Sequence, residues 1–442
     1  MLLEIPEEKW KHAHRLLQCL ALSSRPLRVE ELGEVLSIQF DSTTMPKLIT
    51  GWRPENTEDT VLSACSSLIA IVKVEDFLVV QFSHFSVKEF LISDRLATAQ
   101  TKNLSRYHIA LEPAHRILAQ ACLSTLLELD EHTDKQKLKN YPLAFYAAEH
   151  WPEHARFGDV SLSVQDMMRQ LFDPGKPHFS TWIWIYDVDD PLPSRSIKGL
   201  AEHRSQPLGT PLSYSARYGL YVLTEQLLSV HPNDVDLWTL GAPGPLWQAI
   251  RGGYLDVARL LLEHGADVNH TSTSGWTTLH VATLHSDNNA IQLLLEHGAD
   301  VNGCNEKEGS PLQLASGFGD INSMQLLLRH GANVNYYDSE TGSSPLIEAV
   351  QSGSIEAVRL LIQHKPDLDH EDNQGWTALL WASPYEDTEI AQALLEYDAE
   401  AHGRNISESM RMLYELSKLR CRPQDLSRRL AVFSLERSRR RM

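Results

Sequence analysis

The chain has 442 residues, enough for two to four domains, and 42% hydrophobic with 22% charged residues is typical of a globular protein. The net charge of −18 is uneven, because residues 1–209 carry −6, residues 210–400 carry −19 and residues 401–442 carry +7. The five cysteines are scattered and never form a CxxC pair, which argues against a disulfide scaffold and a zinc finger. No apolar stretch is long enough to span a membrane, and no secretory signal is recognisable.

The first hundred residues predict three helices followed by a β-hairpin. The helices are expected over 9–22, 29–38 and 59–71, and the hairpin over 72–82. This is the element order of a winged helix. A DNA-binding winged helix usually has a basic recognition helix, whereas the third predicted helix contains no basic side chain. We therefore expect no DNA recognition by this region.

The stretch FSHFSVKEFL, residues 82–91, predicts a helix that begins near Val87. Ser86 and Glu89 have the spacing of a capping box, and His84 lies two residues ahead of that N-terminus. Because helix N-termini favour anions, His84 has two interpretations. It either donates to a phosphate group or is a structural residue at the joint between strand and helix.

Several long segments within residues 3–185 resemble the fungal NACHT-type signalling NTPases, the NOD-like receptors of fungi. They include LQCLALSSRPLRVEELGEVL, VVQFSHFSVKEFLIS and YHIALEPAHRILAQACLSTLLEL. The resemblance implies a winged-helix-like domain at 1–100 and, at 101–205, the helical region that links an NTPase module to repeats. It also implies that His84 occupies a position that contacts nucleotide in the wider class.

The P-loop pattern G-x-x-x-x-G-K-[ST] does not occur in the chain. The single Gly175-Lys176 pair lacks the preceding glycine and the hydroxyl residue of that motif. The nucleotide-binding half is expected to lie before Met1. We therefore predict that this chain is not an enzyme, uses no cofactor and retains His84 for packing.

The region between the winged helix and the repeats predicts paired helices over 107–175. His150 and His154 in EHWPEH have metal-ligand spacing, but Pro152 lies between them and no general base is placed as in HExxH. We predict no metal site there. Residues 175–209 are rich in proline and serine and predict a connector.

A repeat of 33 residues dominates the rest of the chain. LLLEHGADVN occurs at 260–269 and 293–302, and LLLRHGANVN follows at 326–335. A second phrase, TPLSYSA with its variants, recurs around six leucines: Leu212, Leu246, Leu279, Leu312, Leu346 and Leu379. The pattern closely resembles the ankyrin repeat and implies about six helix pairs over 206–402, of which the first is degenerate.

Helix-ending residues are predicted from the same repeat. Thr or Ser before Pro should cap each first helix, and Gly265, Gly298 and Gly331 should end each second helix in a left-handed conformation. Lys365 and Asp398 replace that glycine in the last two units, so looser turns are expected there. The repeated histidines are interpreted as scaffold: His264, His280, His297 and His330.

In proteins with ankyrin repeats, the inner helices and the hairpin fingers form the partner surface. The fingers of this chain are expected at 270–277, 303–310, 336–343 and 370–377. The candidate partner-binding residues in them are Trp276, Glu306, Glu308, Tyr336, Tyr337, Asp338, Glu371, Asp372 and Trp376. The alternative is that the tryptophans brace neighbouring fingers and that the acidic side chains are only solvated.

The predicted fold class is mainly α, with a winged-helix-like domain and helical linker followed by an ankyrin α-solenoid and a basic tail at 403–442. The first functional hypothesis is a non-catalytic interaction protein: the recognition part of a fungal NOD-like receptor, or a truncated adaptor or decoy, that is cytoplasmic and binds a protein with a basic patch. The alternatives are a fragment of a longer signalling NTPase and a nuclear adaptor that uses its basic tail. No membrane, nucleic-acid or small-molecule partner is expected.

Overall fold

A computed structural model describes residues 2, 5–40, 45–65, 67–75, 77–99, 102–186, 207–239, 243–272, 275–304, 309–382 and 388–402. The chain divides into two compact units, Met1–Asp234 with Trp238–Ala242, and Val235–Leu237 with Pro243–Met442. Most of the predicted connector and the predicted basic tail lie outside the described residues. Within the described ranges, no helix combines the length and the apolar composition that crossing a membrane requires.

The first unit begins with a winged-helix domain. Its helices are Trp10–Leu22, Val29–Leu36, Thr57–Cys65, Phe85–Ile92 and Asp94–Ala97. The wing is an antiparallel sheet of three strands, Leu27–Arg28, Ile69–Val74 and Phe77–Phe82. The strand Phe77–Phe82 lies between the other two. A two-stranded ribbon joins Ile38–Gln39 to Lys47–Leu48. The predicted helix–helix–helix–hairpin order is confirmed.

The prediction that the third helix extends over 59–71 is wrong at the C-terminal end. The helix ends at Cys65, and the amide of Leu68 donates to the Cys65 carbonyl in a turn. The next residues form a strand in which Ile69 pairs with Phe82. The run Ile-Ala-Ile-Val is rich in β-branched side chains, which favour a strand where a partner strand is available.

The predicted capping box of Ser86 and Glu89 is also wrong. The helix begins at Phe85, and His84 is its N-cap. The amide of Ser86 donates to His84 Nδ1 over 3.2 Å, and the Ser86 hydroxyl lies 2.7 Å from the same nitrogen. The imidazole thus satisfies an N-terminal amide that a serine or aspartate usually satisfies.

The rest of the first unit is a helical region with an aromatic core. Its longer helices are Leu111–Leu127, Ala144–Ala155, Gln165–Leu171 and His178–Ile185, and its short ones are Lys102–Ser105, Lys135–Leu138 and Val160–Ser163. Trp182 is fully buried, with its ring 5.5 Å from Trp151 and 5.4 Å from Phe172. Trp182 Nε1 donates to the Ala148 carbonyl over 2.9 Å.

The degenerate first repeat forms the helix pair Pro211–Arg217 and Tyr221–Val230. This pair belongs to the first unit, because Tyr214 and Tyr218 join the aromatic core with ring centroids 6.2 and 5.5 Å from Trp182. The sequence pattern assigns this helix pair to the ankyrin segment, whereas in the structure the pair packs against the helical region of the first unit.

The second unit consists of helix pairs stacked in two rows. The first row contains Pro245–Gly252, Thr278–Leu284, Pro311–Phe318, Pro345–Gln351 and Ala378–Ala382. The second row contains Leu255–Glu263, Asn288–Glu296, Ile321–Arg329, Ile355–Gln363 and Thr388–His402. Leu279, Ala282, Leu312 and Ala315 pack inward as the sequence predicts and are at most 1% exposed, whereas the last repeated leucine, Leu379, is half-buried.

The predicted caps are present on the first-row helices. The side chains of Thr277, Ser310 and Ser344 each accept a hydrogen bond from the amide three residues later. Gly298 has a φ of 85°, as predicted, and Lys365 adopts the same left-handed conformation with a φ of 56°. At Asp398 the expected turn is absent, because that residue lies inside the helix Thr388–His402 and is 8% exposed.

Candidate protein-interaction surface

A ladder of asparagine side chains links one finger to the next. Asn269 Oδ1 accepts from the Asp300 amide over 2.7 Å, and Asn302 Oδ1 accepts from the Asn333 amide over 2.7 Å. Asn335 Oδ1 continues the series to the Asp367 amide over 2.8 Å. These bonds cross from each repeat to the following one, so they hold the fingers in a fixed register. The recurring Val-Asn dipeptide at 268–269, 301–302 and 334–335 is the sequence signal for this ladder, which the predictions missed.

The described residues of the first finger pair with each other on either side of its tip, next to Trp276. Thr271 and Thr277 form an antiparallel bridge, and the Ser272 amide donates to the Trp276 carbonyl over 2.9 Å. The Trp276 ring is half-buried, 5.6 Å from the ring of His280. Trp276 therefore combines a packed side with an accessible one, so both interpretations of this residue retain support.

The carboxylate of Asp338 organises its own loop. Asp338 is 4% exposed, and its oxygens accept from the amides of Glu340, Thr341 and Ser343 and from the Thr341 hydroxyl. A carboxylate with this many local donors has little capacity left for a partner. The expectation that Asp338 supplies charge to a partner is therefore corrected to a structural role in the turn.

Asp372 has the same role in the last finger. It is 8% exposed and accepts from the amides of Gln374 and Trp376 and from Trp381 Nε1, each over 2.8 to 2.9 Å. The rings of Trp376 and Trp381 lie 4.8 Å apart. As for Asp338, the buried carboxylate fixes the loop and is not available as an exposed charge. The half-buried Trp376 braces Trp381, which the sequence analysis did not single out.

The two tyrosines of the third finger differ in exposure. Tyr337 is 58% exposed and stacks on His370 with a ring distance of 4.9 Å. Tyr336 is half-buried, and burial together with a hydrogen bond to the Cys304 thiol raises its pKa to about 12. Glu371 is exposed, whereas Glu306 and Glu308 lie outside the described residues. Tyr337 is thus the candidate of this finger that is best placed to touch another protein.

The first-row helices also expose side chains that sequence reasoning missed. Leu284 is 42% exposed and Phe318 is 60% exposed, each near the C-terminal end of its helix. Glu348 is half-buried on the next helix of the row. The signal for Leu284 was its place five residues after the repeated leucine, where three other units have Arg217, Arg251 and Gln351. Phe318 lies six residues after the repeated leucine, where neighbouring units have His285 and Ser352. Leu284, Phe318 and Tyr337 are thus three large side chains that the repeats expose.

The repeat histidines are placed as scaffold, as predicted. His280 is fully buried, with Nε2 3.1 Å from the Gly309 carbonyl and Nδ1 2.8 Å from the Thr277 hydroxyl. His264 and His297 each place Nδ1 2.8 Å from the carbonyl oxygen four residues earlier. These contacts occupy both ring nitrogens of His280 and the Nδ1 atoms of His264 and His297 in helix capping and inter-repeat packing.

The other candidate histidines lie in the first unit. His154 Nδ1 is 3.0 Å from His115 Nδ1, and His154 Nε2 is 2.8 Å from the Tyr146 hydroxyl. Burial, followed by repulsion from His115 and His150, lowers the pKa of His154 to about 3. Its neighbour His150 instead lies beside Glu149 and Glu153 at 3.6 and 3.7 Å. The two imidazoles of EHWPEH therefore contact different side chains: His154 contacts His115 and Tyr146, and His150 contacts two glutamates. The other candidate histidine, His84, is an exposed helix N-cap.

Two family models match separate parts of the chain. One is described as "Ankyrin repeats (3 copies)" and matches residues 246–338 and 312–405, and the other is described as "GPI inositol-deacylase, winged helix domain" and matches residues 4–101. Ankyrin repeats and a winged-helix domain of that type are therefore present. The predicted fold class is confirmed, and the repeats support a role in protein–protein interaction.

Curated relatives match over limited segments. Azaphilone pigments biosynthesis cluster protein L of Monascus ruber is 31% identical over 270 residues, which cover 58% of this chain and 55% of the relative. A putative ankyrin repeat protein of Rickettsia felis is 44% identical over 73 residues, 16% of this chain and 31% of the relative. The matched part of the chain thus spans 55% or less of each relative.

A solved structure is also similar. The crystal structure of the ankyrin repeat domain of Bcl-3 has a TM-score of 0.41 and 27% sequence identity, and the match covers 42% of this chain and 86% of that chain.

Proposed function

We propose that this chain is a non-catalytic interaction protein whose ankyrin repeats bind a segment of another protein. The observation that carries the proposal is the exposure of Leu284, Phe318 and Tyr337, which are 42%, 60% and 58% exposed on repeats held by inter-repeat hydrogen bonds. Exposed aromatic side chains on a rigid support lose little entropy on binding and are typical hot spots.

The partner is a protein with a basic patch. Residues 210–400 contain seven basic and 26 acidic side chains, so their field attracts cationic surfaces and repels nucleic acid. This composition also disfavours the alternative of a nucleic-acid-associated nuclear adaptor. A cytoplasmic location and the absence of a cofactor are part of the same proposal.

The finer assignment is the recognition part of a fungal NOD-like receptor, or an adaptor or decoy derived from one. Three observations support it: the sequence resemblance across residues 3–185, the winged-helix match over residues 4–101 and a relative in the fungus Monascus ruber. In this proposal binding at the repeats shifts a conformational equilibrium of the first unit. His84 acts as a helix cap in this chain and meets nucleotide only in a protein that also contains an NTPase module.

The test compares capture by variants of the full-length protein. Proteins retained from an extract of fungal mycelium would be identified by mass spectrometry, and the affinity of a purified captured protein would be measured. Phe318→Ala and Tyr337→Ala should each weaken that affinity by about tenfold, because each truncates an exposed contact residue.

The matched control is Tyr221→Ala, which truncates a 39% exposed tyrosine in the first unit. It should leave the affinity unchanged. Equal affinities of the wild type and the two repeat variants for every captured protein would refute the proposed surface.

A further inference from the structure

Glu348 is the single charged side chain on four consecutive helices of the first row. Those helices read TLHVATL, PLQLASGF, PLIEAVQ and ALLWA, and all four lie within the described residues. The basic side chains of the neighbouring second-row helices are Arg259, Arg329 and Arg359. These four helices therefore present one carboxylate among apolar and neutral side chains.

The position of Glu348 in the repeat is one that other units fill with uncharged residues. It lies two residues after the repeated leucine, where the other clear units have Gln248, Val281, Leu314 and Trp381. Gln248 and Val281 are buried, and Leu314, Glu348 and Trp381 are half-buried. Glu348 is therefore a charged residue at a position where the other units have uncharged, packed side chains. Departures of this kind from a local pattern concentrate at functional sites.

No cation within the described residues stabilises this carboxylate. Burial raises the pKa of Glu348, the Ser343 hydroxyl lowers it, and repulsion from Asp338 raises it further. Glu348 Oε2 lies over the preceding helix of the row, 3.2 Å from where a Cβ on Gly317 would be. A partly desolvated carboxylate without a counterion is unfavourable, and a cationic group brought by a partner would stabilise it.

The surroundings of Glu348 suit an apolar segment that carries such a cation. The preceding helix exposes Phe318 by 60%, and the helix before that exposes Leu284 by 42%. On the other side, Trp381 occupies the equivalent position of the next repeat, and its Nε1 donates to Asp372 over 2.8 Å. An indole held in this way can contact the aliphatic stem or the face of a guanidinium.

We propose that Glu348 anchors an arginine or lysine side chain of the bound protein, while Leu284, Phe318 and Trp381 receive the apolar residues that flank it. The inference rests on the proposed function, because it names the chemistry of the segment that the ankyrin surface recognises. Arginine fits best, since its planar guanidinium pairs with a carboxylate and stacks on an indole at the same time.

The test uses a library of short random peptides displayed on phage, selected against the full-length protein. Peptides with an arginine or lysine between apolar residues should be enriched. A selected peptide and its analogue with neutral citrulline in place of arginine would then be titrated against the wild type and Glu348→Gln. Each single change should weaken binding by about tenfold, and the double change by little more than either alone.

The control variant is Glu356→Gln, which neutralises an exposed glutamate on the second-row helix of the same repeat. It should retain the preference for a basic residue, and melting curves should show that all variants are folded. Enriched peptides without a basic residue, or independent additive effects of Glu348→Gln and citrulline, would overturn the inference and leave the proposed function standing. A library without any enriched peptide would overturn both.

Discussion

A buried carboxylate between the winged helix and the helical region should make the first unit less stable as the pH rises. Glu34 lies on the helix Val29–Leu36 and is 2% exposed. Its Oε2 accepts from the Leu143 amide over 2.8 Å, and its Oε1 accepts from Arg53 over 3.1 Å. Burial nevertheless dominates these two contacts and raises the pKa of Glu34 from 4.5 to about 7.

The direction of the effect follows from where the proton is bound. Between pH 4.5 and about 7 the folded protein holds a proton on Glu34 that the unfolded chain has released. The free energy of unfolding therefore falls as the pH rises through this range. At 1.36 kcal/mol for each tenfold difference in proton affinity, the loss is about 3 kcal/mol. Glutamine at position 34 removes the titration and keeps an oxygen for the Leu143 amide.

The assay is hydrogen exchange of the helix Ala144–Ala155 in a urea series, which reports the unfolding free energy of the first unit at each pH. The quantity of interest is the wild-type value minus that of Glu34→Gln. Histidines whose pKa values burial lowers, such as the half-buried His14 and the buried His154, contribute equally to both proteins, so their effect cancels in this difference. A difference that stays flat, or that rises with pH, would refute the reasoning.

Two further predictions concern the second unit. Asn302→Ala should destabilise it by about 0.5 to 1.5 kcal/mol, because the hydrogen bonds to the Asn333 amide and the Gly331 carbonyl are lost. Faster amide exchange at residue 333 would show this, and unchanged protection would contradict it. Lys365→Gly should raise the unfolding free energy by up to about 1 kcal/mol, because lysine is strained at a φ of 56°. Urea denaturation measures this change, and a loss of stability would count against that account.

The repeated positions were predictable because they depend on local chemistry that recurs. The capping roles of Thr277 and Ser310 and the left-handed conformation of Gly298 follow from hydrogen bonding and backbone sterics within a few residues. The same reasoning failed at His84, where an imidazole caps a helix in place of the predicted serine. It also failed at Asp398, where the helix continues through the position at which the repeat pattern predicts a turn.

The candidate site was less predictable, because exposure depends on how distant segments pack. Asp338 and Trp276 were both predicted to contact a partner from their fingers. In the structure, Asp338 is 4% exposed within its own loop, and Trp276 is half-buried against His280. A carboxylate in a polar loop looks available for a partner in the sequence, but its lone pairs accept from nearby amides once the loop closes. Leu284 and Phe318 look like core residues in sequence and are exposed in the structure.

The sequence by itself determined the two architectures of this protein, since the order of helices and hairpin and the period of 33 residues specify which faces must be buried. Tertiary structure alone decided that the degenerate repeat packs around Trp182 in the first unit and that the Glu348 carboxylate is half-buried over the preceding helix of its row. The physical reason is that burial and local potential depend on contacts between residues far apart in the chain, which no local pattern records.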